Sequence, residues 1–564
     1  MTQPVLPEIR VWQRVRRYAV PTPMIEACTA AREAGDWRAG LAAGRVDVGF
    51  DLAEVAREHG RRQAELVEAD LAALAPDLLR WHLPRTLGGR TSLATHQQWL
   101  LSVREDRIQD SDAALVLHVP RTVDGSQWLR LTVGPAVERD SHRRDLPPTF
   151  WSPAHLRGGL AAAYGGSAHR MPGFESDGRV RPFDAYPTRV DLADPASRTE
   201  VFDRRIAAGD LVSAWAAAGV DLDPPDPDER RRRGLVDSAW TGTLVPVGLD
   251  AESTRLHIRY GVSEVLVGDG WQFALGFGRR TDSTPAASFL GYDRERFSRC
   301  RRLASVVYSR PVDLELLRHG LLDPTELHPL VRQALFPHAP GGFPVRDERL
   351  DLRRDVPVRC RGEWHTVVHA DGRLDLTSHT PDEIAREQVL RTLGGPVSGC
   401  FAVADAWRGS GGRLPRPLRE LRREVLQRVQ HGGSAALAAL LDAGLDPRLA
   451  DGRGGTLLHH MRAIRDGGLV RRLIEAGVPL DATNRRGRTA LHVTIGDGGT
   501  PQMVRALLEA GADPQVADGD GLTAVGLADY KAEMYGDDED LPEEYRPPIL
   551  VRDVVNDWTD SDGN

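Results

Sequence analysis

A chain of 564 residues, 41% of them hydrophobic and with a formal charge of −8, is long enough for about three or four domains. Of its 73 basic residues only Lys531 is lysine, and it lies in DYKAEM. That excludes P-loop enzymes, protein kinases and pyridoxal enzymes, each of which needs a lysine in a defined setting. Nearly all the excess negative charge falls in 533–564, so the body has no bulk basic face and nucleic acid is not expected as a partner. The sequence has no long apolar run and no charged-then-apolar leader, which predicts no membrane span and no signal peptide. Cys28, Cys300, Cys360 and Cys400 lie far apart, as free thiols of a reducing cytoplasm do. Abundant Arg, Ala, Gly and Pro with scarce lysine suggest a high-GC bacterial genome.

In chain order, residues 1–110 read as mainly helical. Met24–Val48 has Ala-rich helical spacing with a break at Gly35–Asp36. Asp51–Leu74 reads as one long amphipathic helix, with Leu52, Val55, Leu66, Leu71 and Leu74 on one stripe. Pro76 starts a short helix ended by Pro84. Within 111–233, Ala113–Gly134 alternates about Asp124–Gly125, the pattern of a β-hairpin, and a short helix is expected at Pro153–Tyr164. Pro224–Arg233 is a polar linker, with Arg230–Arg233 read as a solvated run. Residues 234–412 read as α+β. Leu256, Ile258 and Tyr260 alternate, as do Trp271, Phe273, Leu275 and Phe277, about a turn at Gly268–Asp269–Gly270. Arg310–Phe336 reads as helix, and Val356–Thr377 as a hairpin turning at Ala370–Asp371–Gly372. Antiparallel hairpins packed with helices give an α+β N-terminal region. A helix at 413–433 then leads into a repetitive stretch.

That stretch holds two copies of one unit, Asp451–Thr483 and Asn484–Ala517. Thr456 and His459 recur as Thr489 and His492, a period of about 33 residues. Gly477 recurs as Gly511 after paired aliphatics, and Gly444 takes the same place in the half-unit Leu440–Pro447. Asp451-x-x-Gly454, Asn484-x-x-Gly487 and Asp518-x-x-Gly521 are turn signals. The unit resembles the ankyrin repeat over Ser434–Tyr530. The resemblance implies an all-α solenoid whose Thr–His pairs, Gly477 and Gly511 are structural and whose fingers meet a protein partner. By matched position the contact residues are Arg453, Arg485, Arg486, Arg488 and Asp520. Gly526 replaces the third His and no second helix is expected after it, so 531–564 reads as an acidic disordered tail. GDLVSAWAAAGVDLD (Gly209–Asp223) and, more weakly, Gly35–Val48 look like ankyrin half-units or ordinary helical hairpins.

Cys360-x4-His365-x3-His369 is the best metal candidate. Read as a strand, it holds His365 and His369 roughly 13 Å apart at about 3.3 Å per residue, so no metal and no cofactor is expected. Cys28, Cys300 and Cys400 read as core thiols, and G-x-S-x-G is absent. No catalytic residue is assigned, and an enzyme is the lesser expectation. The first reading is a cytoplasmic interaction protein that binds a protein through its repeats. The alternative is an enzyme or toxin, a hydrolase or nuclease, with its site in 110–400 and the repeats as a targeting module.

Overall fold

Two helix pairs, each delivering a short strand to a sheet, set the plan of the first part of the chain. The computed structural model describes residues 8–109, 112–136, 143–223, 244, 246–268, 274–290, 300–339, 353–370, 373–376, 378–395, 397–409, 412–535 and 547–562. The chain divides into two units, one of residues 1–120 and 128–346, the other of 121–127 and 347–564.

The first unit repeats one topology. Its first sheet contains β1 (Val46–Val48), β2 (Gln98–Leu101), β3 (Ala113–His118), β4 (Leu129–Pro135) and β5 (Arg143–Asp145), in the order β1-β4-β3-β2-β5. The second contains β6 (Asp221–Asp223), β7 (Glu264–Val267), β8 (Ala274–Arg279), β9 (Pro285–Leu290) and β10 (Arg301–Arg302), in the order β10-β7-β8-β9-β6. Read from opposite ends the two orders are the same, and so are the senses. The central three strands are antiparallel and each edge strand is parallel to its neighbour. The edge strands β5 and β10 of the two sheets lie next to each other.

The lead-in to each sheet repeats as well. Helices Thr22–Glu33 and Trp37–Ala43 precede β1, and helices Pro195–Ala207 and Leu211–Ala217 precede β6. Asp36 and Asp210 cap the second helix of each pair, accepting from the N–H groups of Ala39 (2.9 Å) and Ser213 (3.1 Å). The Gly-Asp pairs that look like ankyrin half-units are therefore helical hairpins that exit into a sheet, where a repeat would exit into a projecting turn. Trp81, Trp99, Trp151 and Trp215 are fully buried in the common core.

Buried ion pairs run through this core. Arg16 binds Asp313 at 2.6 Å, and the Trp81 indole donates to the same carboxylate at 3.1 Å. Asp203 takes Arg310 at 2.8 Å and Arg318 at 3.4 Å, with Glu315 2.8 Å from Arg318.

Two sequence expectations change here. Gly60 has φ 88° and ψ 155°, which splits the long helix into Leu52–His59 and Arg61–Ala73. Leu249–Tyr260 is a helix, not a strand, bracketed by left-handed Gly248 and Gly261. Its Leu249, Ser253 and Leu256 are buried while Ile258 is exposed, which is helical spacing that a short window mistakes for alternation. Turn residues 269–270 and 371–372 and the Arg230–Arg233 run lie outside the described residues.

The second unit opens with a three-stranded antiparallel sheet of β11 (Arg354–Cys360), β12 (Glu363–Ala370) and β13 (Arg373–Asp375), followed by helices Pro381–Thr392 and Gly399–Trp407. This sheet shares a core with the repeats, so the boundary that the sequence suggested near 413 lies near 346. Four helix pairs follow. Arg416–Asp442 runs as one segment but breaks at Gly433 (φ 60°, ψ −144°), giving the first pair. The next are Leu457–Ala463 (a 3₁₀ helix) with Gly468–Glu475, and Ala490–Gly496 with Pro501–Glu509. The last is Ala524–Tyr535 with Pro547–Asp562. The helix read as a cap is thus the inner helix of a full unit. The supposed disordered tail supplies the outer helix of the last one. Val551 and Val555 of Pro547–Asp562 are buried in the same core as Leu507 and Leu508, which is why that segment is ordered. Residues 536–546, the most acidic part of the tail, lie outside the described residues.

Candidate functional site

The repeats present a row of turns built from local chemistry. The Asp451 side chain accepts from the N–H groups of Arg453 (2.7 Å) and Gly455 (2.9 Å). Asn484 does the same for Arg486 (2.9 Å) and Arg488 (3.2 Å), and Asp518 for Asp520 (2.9 Å) and Leu522 (3.1 Å). Gly454, Gly487 and Gly521 hold φ of 82°, 71° and 81°, a backbone that favours glycine. Burial alone would raise the Asp451 carboxyl, but His460 and the two N–H donors outweigh it and hold it well below the usual carboxylate range.

Each Thr–His pair ties one unit to the next. The N–H of Thr456 donates to His459 Nδ1 at 3.0 Å, so the ring proton lies on Nε2 and is donated to the Arg488 carbonyl at 2.9 Å. Thr489 and His492 repeat this at 3.4 Å, with His492 Nε2 reaching the Leu522 carbonyl at 3.0 Å. Burial lowers the His459 pKa to about 4, which keeps the ring neutral. Both nitrogens of each ring are engaged, so these histidines are structural. Gly444, Gly477 and Gly511 end the outer helices: the N–H of the following residue reaches back to Leu440, Leu473 and Leu507 at 2.9, 3.0 and 3.0 Å.

The turns are linked laterally, Arg485 N–H to the Arg453 carbonyl at 2.9 Å and Gly519 N–H to the Arg486 carbonyl at 2.8 Å. Arg453, Arg485, Arg486 and Asp520 are exposed at the tips. Arg488 is half-buried and binds Asp518 at 3.0 Å, which makes it a strut between neighbouring turns.

Residues 426–518 match the family model for ankyrin repeats, in three copies. This segment is an ankyrin array. Over 126 residues the chain is 32% identical to the E3 ubiquitin-protein ligase KEG of Arabidopsis thaliana, an overlap of 22% of this chain and 8% of that protein. The chain therefore spans a small fraction of that relative's length. The family match begins at 426, inside the helix that the sequence suggested was only a cap, and ends at 518, before the last helix pair.

Two further sites lie outside the ankyrin array. In the first unit a cavity of about 640 Å³ is lined by Arg16, His82, Arg85, His96, Arg144 and Arg302 with aromatic and small residues, and by no Asp or Glu among the described residues. Burial, then the charges of Arg80 and Arg16, press the Arg85 guanidinium well below its ordinary range. Arg144 is 8% exposed and its Nε has no hydrogen-bond partner.

In the second unit the ligand atoms of Cys360, His365, His379 and Cys400 all lie within 4.8 Å of one another. Sequence spacing paired Cys360 and His365 with His369. His369 is instead fully buried against Trp407, ring centroids 4.7 Å apart. His379 and Cys400 carried no sequence signal, because folding alone brings them to the hairpin. Burial and then the neighbouring Cys360 thiol push the Cys400 thiol up to about 12, and burial and then His365 lower His379.

Proposed function

We propose that this protein binds another protein through the tips of its ankyrin array, with Arg453, Arg485 and Arg486 meeting a carboxylate-rich partner surface. Ankyrin repeats in general mediate protein–protein interaction through their projecting turns and concave face. The carrying observation is that these three exposed guanidiniums form no ion pair among the described residues, while Arg488 beside them does. Arginine is favoured at interface hot spots, and exposed pairs contribute about 0–1 kcal/mol each. A double Arg485→Glu, Arg486→Glu variant of the full chain should therefore retain its partner about tenfold more weakly than wild type at low salt. Side-by-side affinity capture from the native cell extract measures this. Equal retention of the same proteins by both baits removes the reading.

A second reading is favoured by the arginine-lined cavity. Several guanidiniums or imidazoles and no carboxylate around a cavity of about 640 Å³ suit a small phosphorylated or carboxylated ligand. Pyrophosphate is expected to raise the melting temperature of wild type and to raise that of Arg144→Gln less. No shift at millimolar pyrophosphate counts against the cavity as an anion site.

A further inference from the structure

We propose that Cys360, His365, His379 and Cys400 form a structural tetrahedral zinc site. The four side chains come from four elements. Cys360 ends β11 and His365 sits on the same face of β12, diagonally across the hairpin, since Cys360 pairs with Glu363 and Val358 with His365. His379 stands just before Thr380, the cap of helix Pro381–Thr392. Cys400 is the second residue of helix Gly399–Trp407.

The spacing fits. Zinc bonds of about 2.0–2.3 Å place tetrahedral ligands roughly 3.3–3.8 Å apart, and here all four ligand atoms lie within 4.8 Å. His365 Nδ1 and His379 Nε2 are 3.0 Å apart and turned toward each other. Their other nitrogens face carboxylates, His379 Nδ1 at 3.6 Å from Glu383 and His365 Nε2 at 3.9 Å from Glu363, the outer partners that orient metal-bound imidazoles. Gly399 makes the approach possible. Its φ is 58°, and a Cβ there would overlap the Cys360 Sγ.

Two sulfurs and two imidazole nitrogens in a tetrahedron select zinc over harder cations. Binding releases the two thiol protons to solvent, and two thiolates with Zn²⁺ leave the buried site uncharged. Four protein ligands leave no open position, so the metal holds structure and does no chemistry. It would tie a short hairpin and two helices together where few apolar residues do so, Val356, Val358 and Val367 being the buried valines of the sheet.

The test uses the untagged full chain, purified with reductant and a weak chelator. Metal analysis should find one zinc per chain in wild type and in His369→Gln, and none in Cys400→Ser or Gly399→Val. Replacing zinc by cobalt should give tetrahedral bands with thiolate charge transfer in wild type, a readout that does not depend on whether a variant folds. Three results overturn the proposal: a folded wild-type chain that takes up neither metal, zinc retained by Cys400→Ser, or a mass showing Cys360 joined to Cys400 by a disulfide.

Discussion

A fragment of residues 434–530, the stretch that matches the ankyrin pattern most plainly, is expected to be unfolded at room temperature. A fragment of 414–562 is expected to melt cooperatively. The short fragment loses Leu418, Leu421, Val425 and Val429 at one end and Val551 and Val555 at the other, all at most 4% exposed. Burying one aliphatic side chain contributes about 1.5–3 kcal/mol, so six contribute roughly 10 kcal/mol, which is comparable to the whole stability of a domain. Repeat stacks also gain their stability from interfaces between neighbours, and the cut removes one interface at each end. Circular dichroism during thermal melting compares the two. Identical cooperative melts would show that the flanking helices are dispensable.

The same experiment explains what was legible in the sequence. The Asx turns at Asp451, Asn484 and Asp518, the Thr–His boxes and the helix-ending glycines are each closed within a few residues. A reader of the sequence meets every partner at once. The helix Pro547–Asp562 has no such local mark. Its two buried valines stand among acids, and its place is fixed by helices Pro501–Glu509 and Ala524–Tyr535. The Cys–His cluster is invisible for the same reason, since Cys360 meets Cys400 only after a sheet and two helices have packed. Leu249–Tyr260 failed differently: Leu256, Ile258 and Tyr260 satisfy a strand pattern over five residues, and only the flanking glycines at 248 and 261 argue for a helix.

Asp203→Ala is expected to cost about 3–5 kcal/mol of stability, the range for breaking a buried ion pair from one side. Asp203 is 0% exposed and receives Arg310 and Arg318, both buried. Its removal leaves two guanidiniums to share Glu315, already 2.8 Å from Arg318 and 3.5 Å from Arg310. Asp203→Asn should cost less, because the amide oxygen still accepts one hydrogen bond. The control is Glu65→Gln, whose partner Arg61 is 91% exposed by side chain and whose loss should be within about 1 kcal/mol. Urea unfolding of the three variants gives the ranking. If Asp203→Ala falls within 1 kcal/mol of wild type, these internal charges are solvated by water and the network is not a cohesive element.

The doubled sheet topology of the first unit amounts to a dimer written in one polypeptide. Arg144 of β5 and Arg302 of β10 come from corresponding strands and line the same cavity. In a pair of separate subunits that meeting would be lost on dilution. Here the connecting residues fix the local concentration of each half about the other, whatever the abundance of the protein. Fusion also releases the two walls from identity. A two-fold pair must accept every substitution twice. In this chain Asp145 follows Arg144 and binds Arg255 and Tyr260 of the other half, whereas Leu303 follows Arg302. The chamber is therefore lopsided by construction and suited to an occupant whose two ends differ.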